Sequence, residues 1–87
     1  MHAVVINVSF TDFAGAQGEL DGLVPRVSGL PGFVAGYWIA LSPENGTSTV
    51  VFDSEDSAQA LVGMVAQAPP GTVTVDSVEV GEVLAHA

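Results

Sequence analysis

Apolar and polar residues repeat along this chain with two periods, and each change of period marks a new element. The first run, "AVVINVSF" from Ala3 to Phe10, is short and rich in β-branched residues, which is typical of a strand. Thr11 and Asp12 follow, and both are favourable helix caps. Apolar residues then recur at spacings of three and four, which predicts a helix with one apolar face: Phe13, Ala16, Leu20, Leu23 or Val24, and Val27.

Glycine and proline weaken this first helix. Gly15, Gly18 and Gly22 each cost about 1 kcal/mol relative to alanine in a helix interior. Pro25 lacks a backbone donor, so it should kink or end the helix, and "SGLPG" at residues 28–32 is the stop signal. The helix therefore needs to pack on a sheet.

A hairpin is predicted next. Its strands run from Phe33 to Leu41 and from Thr47 to Asp53, and Ser42 to Gly46 form the loop. Pro43 suits the first central position of a type I turn, and Gly46 is able to take a positive φ.

A second helix and a last strand complete the chain. Ser54 is the predicted N-cap, with Glu55 and Asp56 in the first turn, where the helix dipole favours anions. The segment from Ala68 to Gly71 should end this helix, and Thr72 to Ala85 alternate as a strand with a bulge near Gly81. The apolar face of the helix is formed by Ala58, Leu61, Val62 and Val65.

The order strand, helix, strand, strand, helix, strand predicts one α+β domain over residues 1–87 with a ferredoxin-like βαββαβ plan. In that plan two helices cover one face of a four-stranded antiparallel sheet. The second strand, however, is apolar on both faces, because Tyr37 and Ile39 oppose Trp38 and Ala40. We expect a second copy to cover the other face, sheet against sheet, in a homodimer.

Charge and composition narrow the possible partners. The net charge is −9 and Arg26 is the only Lys or Arg, so nucleic acid and anionic membranes are disfavoured as partners. No apolar stretch approaches the roughly 18–20 residues of a membrane span. The start of the chain has no basic segment typical of a secretory peptide, so we expect a cytoplasmic protein.

Metal and thiol chemistry find little support in the sequence. The absence of Cys removes disulfides, thiolate catalysis and zinc–thiolate sites. His2 and His86, at the two ends, are the only imidazoles, and the carboxylates are not clustered at metal-ligand spacing. We therefore expect no metal and no cofactor.

Three segments together resemble a known superfamily. They are "PGFVAGYW" at the second strand, "VVFDSEDSAQAL" leading into the second helix, and the terminal "VEVGEVLAH". With the order of elements, they resemble the antibiotic-biosynthesis-monooxygenase-like branch of the dimeric α/β-barrel superfamily. The resemblance implies two facing sheets, a pocket between sheet and helices in each subunit, and C-terminal strand segments often exchanged between subunits. It also implies oxygenases without metal or flavin that act on hydroxyquinone-like aromatics.

Four residues are candidates for chemistry. The amide of Asn7 could hold an oxyanion, or it could satisfy neighbouring backbone at a bulge or edge. Arg26 could bind a ligand carboxylate or enolate, or it could interact with the end of the first helix. His86 could act as a base through an exchanged strand, or it could simply be solvated. Trp38 could stack on an aromatic ligand, or it could be packing.

Further aromatic residues are candidates for ligand binding. Tyr37 lies next to Trp38 but should point to the opposite face, so one of the two should face the pocket and the other the partner sheet. Phe10 and Phe52, on the first and third predicted strands, are candidate ligand-binding residues together with Tyr37.

Haem degradation is not expected. In the haem-degrading members of the superfamily, an Asn on the first strand accompanies a Trp, and a His on the second helix ligates iron. Asn7 matches, but Glu55 to Gln67 contain neither His nor Trp. Two functions stay open: a cofactor-independent monooxygenase, or related isomerase or cyclase, acting on an aromatic or quinone-like molecule, and a non-catalytic dimeric domain for small-ligand binding or assembly.

Overall fold

The computed structural model describes residues 1–67 and 71–87 and contains the predicted order of elements. The four strands form one antiparallel sheet in the order β2-β3-β1-β4, which confirms the ferredoxin-like βαββαβ plan. The elements are β1 His2–Phe10, α1 Phe13–Ser28, β2 Phe33–Ala40, β3 Asn45–Phe52, α2 Glu55–Ala66 and β4 Val73–Glu82.

Both helices lie on one face of the sheet. Helix α1 packs against β2, and α2 packs against β1, β3 and β4. The core forms where alternate strand residues meet the apolar faces of the helices, as the strand and helix periods require. Its buried members are Val4, Ile6, Val27, Val50, Phe52, Ala58 and Leu61.

The hairpin between β2 and β3 is tighter than predicted. Strand β2 ends at Ala40, and β3 already begins at Asn45. The carbonyl of Asn45 accepts hydrogen bonds from the N–H groups of Leu41 and Ser42, at 2.9 and 3.1 Å, and these bonds extend the ladder toward the turn. Gly46 does not adopt the positive φ that glycine permits there; Gly32 is the one glycine with a positive φ in the described part of the chain.

The contacts of Gly32 explain its positive φ. Its φ is 82°, a region that other residues rarely adopt. Its carbonyl accepts the Asp53 N–H at 2.9 Å, and an added Cβ would lie 2.5 Å from the Ser57 hydroxyl. This glycine therefore joins the start of β2 to the start of α2.

Pro25 does not end α1, so that part of the prediction is wrong. The helix continues to Ser28, where Val27 is buried in the core and the Gly29 N–H donates to the Pro25 carbonyl at 3.2 Å. Packing on the sheet outweighs the missing donor of proline. At the other end, Asp12 occupies the N-cap position but its side chain makes no capping hydrogen bond.

Helix α2 begins as predicted. The Ser54 hydroxyl accepts the Ser57 N–H at 3.2 Å, and Glu55 and Asp56 lie in the first turn. The helix ends at Ala66, and the predicted stop at residues 68–70 lies outside the described residues.

The bulge in β4 was predicted near Gly81, and this position is wrong. The irregularity lies at Asp76. Asn7 pairs with Ser77, but the next residue of β1, Val8, pairs with Val75, so Asp76 is the additional residue. Its carboxylate accepts a hydrogen bond of 2.6 Å from the Ser9 hydroxyl, which ties the bulge to β1. The strand ends at Glu82, before the predicted limit at Ala85.

The face of the sheet away from the helices is divided into two parts. Tyr37 and Ile39 of β2 lie on it with 61% and 47% of their surface exposed. On β1 and β4 the same face presents Asn7 and Ser77, joined by a hydrogen bond of 2.9 Å. The large exposed apolar side chains of this face thus lie on the β2 half of the sheet. Neither described helix is long and apolar enough to cross a membrane.

Candidate functional site

A cavity of about 850 Å³ lies between the sheet and the two helices. Residues of all four strands form its floor, and α1 and α2 form its roof, so most of its lining is the apolar side of each element. Ile6, Val50 and Leu61 close its inner part, where the cavity meets the core. A cavity of this size and lining suits a small, largely apolar molecule.

Three aromatic side chains line the cavity. Trp38 reaches it from β2, Phe10 from the end of β1 and Phe13 from the first turn of α1. The rings of Phe10 and Phe13 meet edge to face, with centroids 5.6 Å apart. Tyr37 and Trp38 lie on opposite faces, as their positions in the strand predicted.

One cation stands at the edge of the cavity. Arg26 lies on the last turn of α1, is exposed and contributes to the cavity lining. It forms no ion pair with any described residue, although the chain contains ten acids. An unpaired guanidinium beside an apolar cavity can bind a carboxylate or an enolate.

Ser48 places one hydroxyl in the apolar floor. It is the only buried polar side chain in residues 1–67 and 71–87, with 6% of its surface exposed. It lies on β3 directly opposite Trp38 and lines the cavity. A hydroxyl in this position can donate to, or accept from, a ligand oxygen.

Hydrogen bonds to Thr72 hold together the end of the cavity near β4. The Thr72 N–H donates to the Glu19 carboxylate at 2.9 Å, and the Thr72 carbonyl accepts the Thr11 N–H at 2.9 Å and the Thr11 hydroxyl at 3.1 Å. The backbone N–H of Thr72 lowers the pKa of the Glu19 carboxyl below its usual value of 4.5. Glu19, which also lines the cavity, is therefore an ionised acceptor and a weak base.

The structure brings three of the predicted site residues together. Trp38, Arg26 and Phe10 all line the cavity. Several polar residues of the lining were not predicted, among them Ser48 and Glu19. The alternation of β3 could have indicated Ser48. Ser48 lies two residues from both Gly46 and Val50, so it shares their side of the strand, which faces the helices. No local pattern signals the contact of Glu19 with Thr72, which is 53 residues away.

The other four predicted residues lie elsewhere. Asn7 is exposed on the opposite face of the sheet, because it alternates with the helix-facing Ile6 and Val8. Tyr37 shares that face. Phe52 is fully buried against Phe33 in the core, with ring centroids 6.2 Å apart, and leaves no surface to the cavity.

His86 is exposed beyond the end of β4 and does not line the cavity. The remaining histidine, His2, lies 3.5 Å from the Glu55 carboxylate at the start of α2. Among the described residues no three His, Asp or Glu side chains lie close enough to hold a metal ion.

Comparison with known proteins relates this fold to solved structures. No family model matches the chain, and no curated protein matches it. A protein of unknown function from Nitrosomonas europaea superposes with a TM-score of 0.69 at 17% identity, covering 99% of this chain and 91% of the other.

The haem degrader MhuD from Mycobacterium tuberculosis, with two haems bound in its active site, superposes with a TM-score of 0.54 at 20% identity. That comparison covers 97% of this chain and 98% of MhuD. A mutant of MhuD with two manganese protoporphyrin IX molecules per active site gives a TM-score of 0.57 at 20% identity, covering 98% and 97% of the two chains. At these identities the similarity is one of fold: this chain has the ferredoxin-like fold found in MhuD.

Proposed function

We propose that this protein binds a planar, largely apolar small molecule carrying an acidic hydroxyl or enol, in the cavity between its sheet and helices. The observation that carries the proposal is the unpaired Arg26 at the edge of an 850 Å³ apolar cavity lined by Trp38. An indole face favours a flat aromatic ligand, and a guanidinium favours its anion. The net charge of −9 makes this one cation the most favourable position for a negative group.

Haem itself does not fit this lining. Iron in haem proteins is held by His, Cys, Tyr or a Met paired with His. Of these ligand types, the described lining contains only Met64, and both histidines lie away from the cavity. MhuD supports the general idea that this fold holds a flat ligand in its active site, and it supports no iron ligand here.

The reaction that we propose for this cavity is oxidation of the bound enolate by O₂ without metal or flavin. In the simplest case a ring CH₂ conjugated with a carbonyl loses a proton to give the enolate, its carbon bonds to O₂, and the protonated peroxide loses water to leave C=O. One oxygen atom thus enters the product and the other leaves as water. The apolar walls exclude bulk water from the enolate. Arg26 and the hydroxyl of Ser48 would stabilise negative charge on the ligand oxygens.

The protonation state of the substrate follows from the residues present. Glu19 is the single carboxylate in the described lining, and its lowered pKa makes it a poor base. The substrate should therefore be acidic enough to ionise near neutral pH without a strong general base. This requirement favours ligands more acidic than simple phenols, such as hydroxyquinones, whereas a hydroxyanthrone supplies the ring CH₂ that the oxidation consumes.

The first test is a titration followed by the fluorescence of Trp38, the only tryptophan. The ligands are a hydroxynaphthoquinone, which is anionic at neutral pH, and the unsubstituted naphthoquinone, which is neutral. The chain has no thiol that could form a quinone adduct. We expect saturable quenching by both ligands and, in Arg26→Gln, about a tenfold loss of affinity for the anion alone.

Two controls make the result specific. Arg26→Lys should recover part of the anion affinity, and Asn7→Ala, on the opposite face, should bind like the unchanged protein. Oxygen uptake with a hydroxyanthrone, corrected for its spontaneous oxidation, then separates an oxygenase from a binding domain. Quenching that does not saturate with either naphthoquinone would contradict the proposed binding.

We further infer that two copies associate through the open face of the sheet. The support is the exposed apolar side chains of the β2 half, Tyr37 and Ile39, followed by Leu41, which is 67% exposed. Strand β2 is also an edge strand, and proteins normally cover or charge such an edge. A second copy of the same chain covers this apolar surface by a two-fold contact.

A further inference from the structure

The indole ring of Trp38 lies across the backbone of Gly36, two residues earlier on β2. A Cβ added at Gly36 would lie 2.7 Å from Cη2 and 2.8 Å from Cζ3 of that ring. These distances are too short for any side chain, so the ring occupies the space that a residue at position 36 would need. The backbone of Gly36 does not have a positive φ, so the reason for glycine here is the contact.

A second aromatic ring that lines the cavity lies against a strand glycine in the same way. A Cβ at Gly46 of β3 would lie 2.5 Å from Cζ of the Phe10 ring and 2.8 Å from the Ile39 carbonyl oxygen. Both aromatic side chains that reach the cavity from the strands thus rest on a glycine of the sheet. Each ring lies lower, and the cavity above it is correspondingly taller, than a Cβ would permit.

We propose that Gly36 is a positioning residue that keeps the Trp38 ring against the sheet and thereby determines the size of ligand that the cavity admits. This inference rests on the proposed function of the cavity. A methyl group at position 36 must displace the ring, and the side toward Phe33 is already filled, since Phe33 Cε2 lies 3.4 Å from the added Cβ. The free volume next to Trp38 is the cavity itself. The ring therefore moves into the space of a flat ligand.

The ligand class follows from this geometry. With the outer edge of the indole against Gly36, a ligand of two or three fused rings can occupy the cavity beside the indole, and its acidic group can face Arg26. A bulky, non-planar molecule would contact the roof formed by α1. Gly36 thus sets the height of the cavity that is available to the ligand, and Arg26 selects for charge.

Gly36 gives a cleaner test than Gly46, because the added methyl meets only side-chain atoms. At Gly46 the Ile39 carbonyl oxygen is part of the backbone, so a substitution there also disturbs the pairing of β2 and β3. A matched control is Gly81→Ala: Gly81 is also in a strand, and nothing lies within 4 Å of its added Cβ.

The experiment is a double-mutant cycle of Gly36→Ala and Trp38→Phe. Cη2 and Cζ3 belong to the indole six-membered ring and have no counterpart in Phe, so Trp38→Phe removes the clash. Hydroxynaphthoquinone affinity is measured by calorimetry in all four proteins, and the urea midpoint reports the free energy of unfolding. We expect Gly36→Ala to lower affinity about tenfold when Trp38 is present and less than about twofold in the Trp38→Phe background.

The outcomes separate this inference from the proposed function. Equal losses of affinity and equal midpoint shifts in both backgrounds would overturn the role of Gly36, as would an effect of Gly81→Ala as large as that of Gly36→Ala. If the unchanged protein binds no naphthoquinone, the proposed function fails. The urea midpoints then test only whether Gly36 positions the Trp38 ring. A midpoint shift by Gly36→Ala that occurs only when Trp38 is present supports the positioning role, and equal shifts in both backgrounds reject it.

Discussion

At the residue scale, the most informative contact is the one between Glu19 and the backbone of Thr72. This hydrogen bond joins α1 to the start of β4. The Thr72 carbonyl also accepts a hydrogen bond from the Thr11 N–H at the same end of the cavity. A carboxylate that accepts a backbone N–H is stabilised in its charged form, which is why the pKa of Glu19 is lowered. The contact therefore makes part of the folding stability depend on pH.

We expect Glu19→Gln to lose stability relative to the unchanged protein at neutral pH but not in acid. Because the folded-state pKa lies below the unfolded value, the contribution of Glu19 is present above the unfolded pKa. It disappears as pH falls through the folded-state pKa. Urea midpoints measured between about pH 7 and about pH 3 should thus converge for the two proteins.

The control for this prediction is Asp21→Asn, on the same helix. Asp21 is exposed, and its side chain forms no hydrogen bond with any described residue. Its midpoint should follow that of the unchanged protein over the whole range. A constant difference between Glu19→Gln and the unchanged protein, down to the most acid point, would show that the Thr72 contact is not electrostatic.

The sequence predicted which strand residues lie on opposite faces of the sheet, but it did not predict the contacts between distant elements at the site. Alternation correctly separated Tyr37 from Trp38, but both sets of residues on β2 are apolar, so alternation alone could not say which side chain faces the helices. The register with β3 decides it, because Trp38 pairs with the buried Ser48. The polarity of Asn7 within an apolar strand predicts a site residue, and the structure places Asn7 on the open face, where its amide donates to the Ser77 hydroxyl.

At the element scale, α1 shows how a glycine-rich helix can serve as the roof of a cavity. Its three glycines differ in their surroundings. A Cβ at Gly18 or Gly22 would meet nothing within 4 Å, whereas a Cβ at Gly15 would lie 2.9 Å from Thr72 Cγ2 and 2.8 Å from Asp12 Oδ2. Only Gly15 therefore has a packing role, close to the braced start of β4.

We expect Gly18→Ala to stabilise the protein and Gly15→Ala to destabilise it. Alanine gains about 0.5–1 kcal/mol over glycine in a helix interior when no contact opposes it. At Gly15 the clash with Thr72 should outweigh that gain. Thermal unfolding of the two variants, measured side by side, checks the prediction, and a gain in both would mean that α1 can move away from β4 at little cost.

Element order was predictable from the sequence, and irregularities within elements were not. The helix stripe and the hairpin turn are local patterns, which is why their positions were close to correct. The bulge at Asp76 depends on the hydrogen bond from Ser9, 67 residues away, and the passage of α1 through Pro25 depends on the burial of Val27. Both are tertiary effects that override local preference.

At the scale of the whole molecule, the two faces of the sheet have separate roles. One face carries the helices and a cavity that is large for a chain of 87 residues, so the core of a single copy is small. The other face exposes Tyr37 and Ile39 on an edge strand. Association through the open face would add buried apolar surface without filling the cavity.

We expect light scattering at micromolar concentration to give a mass of two chains of 8.8 kDa, and Tyr37→Glu to give one. A carboxylate at position 37 would face its own copy across a two-fold contact in a molecule that is already acidic, so the interface should open. Ala60→Glu, on the exposed side of α2, introduces the same charge away from the sheet and should leave the dimer intact.

The same variants show whether the cavity depends on the dimer. Because the cavity and the open face lie on opposite sides of the sheet, a folded Tyr37→Glu monomer should bind hydroxynaphthoquinone with unchanged affinity. If the unchanged protein is a monomer, the proposed association through the open face is wrong, and the proposed ligand binding in the cavity is unaffected. Loss of ligand binding together with loss of the dimer would instead mean that the partner copy helps to hold the cavity in its binding conformation.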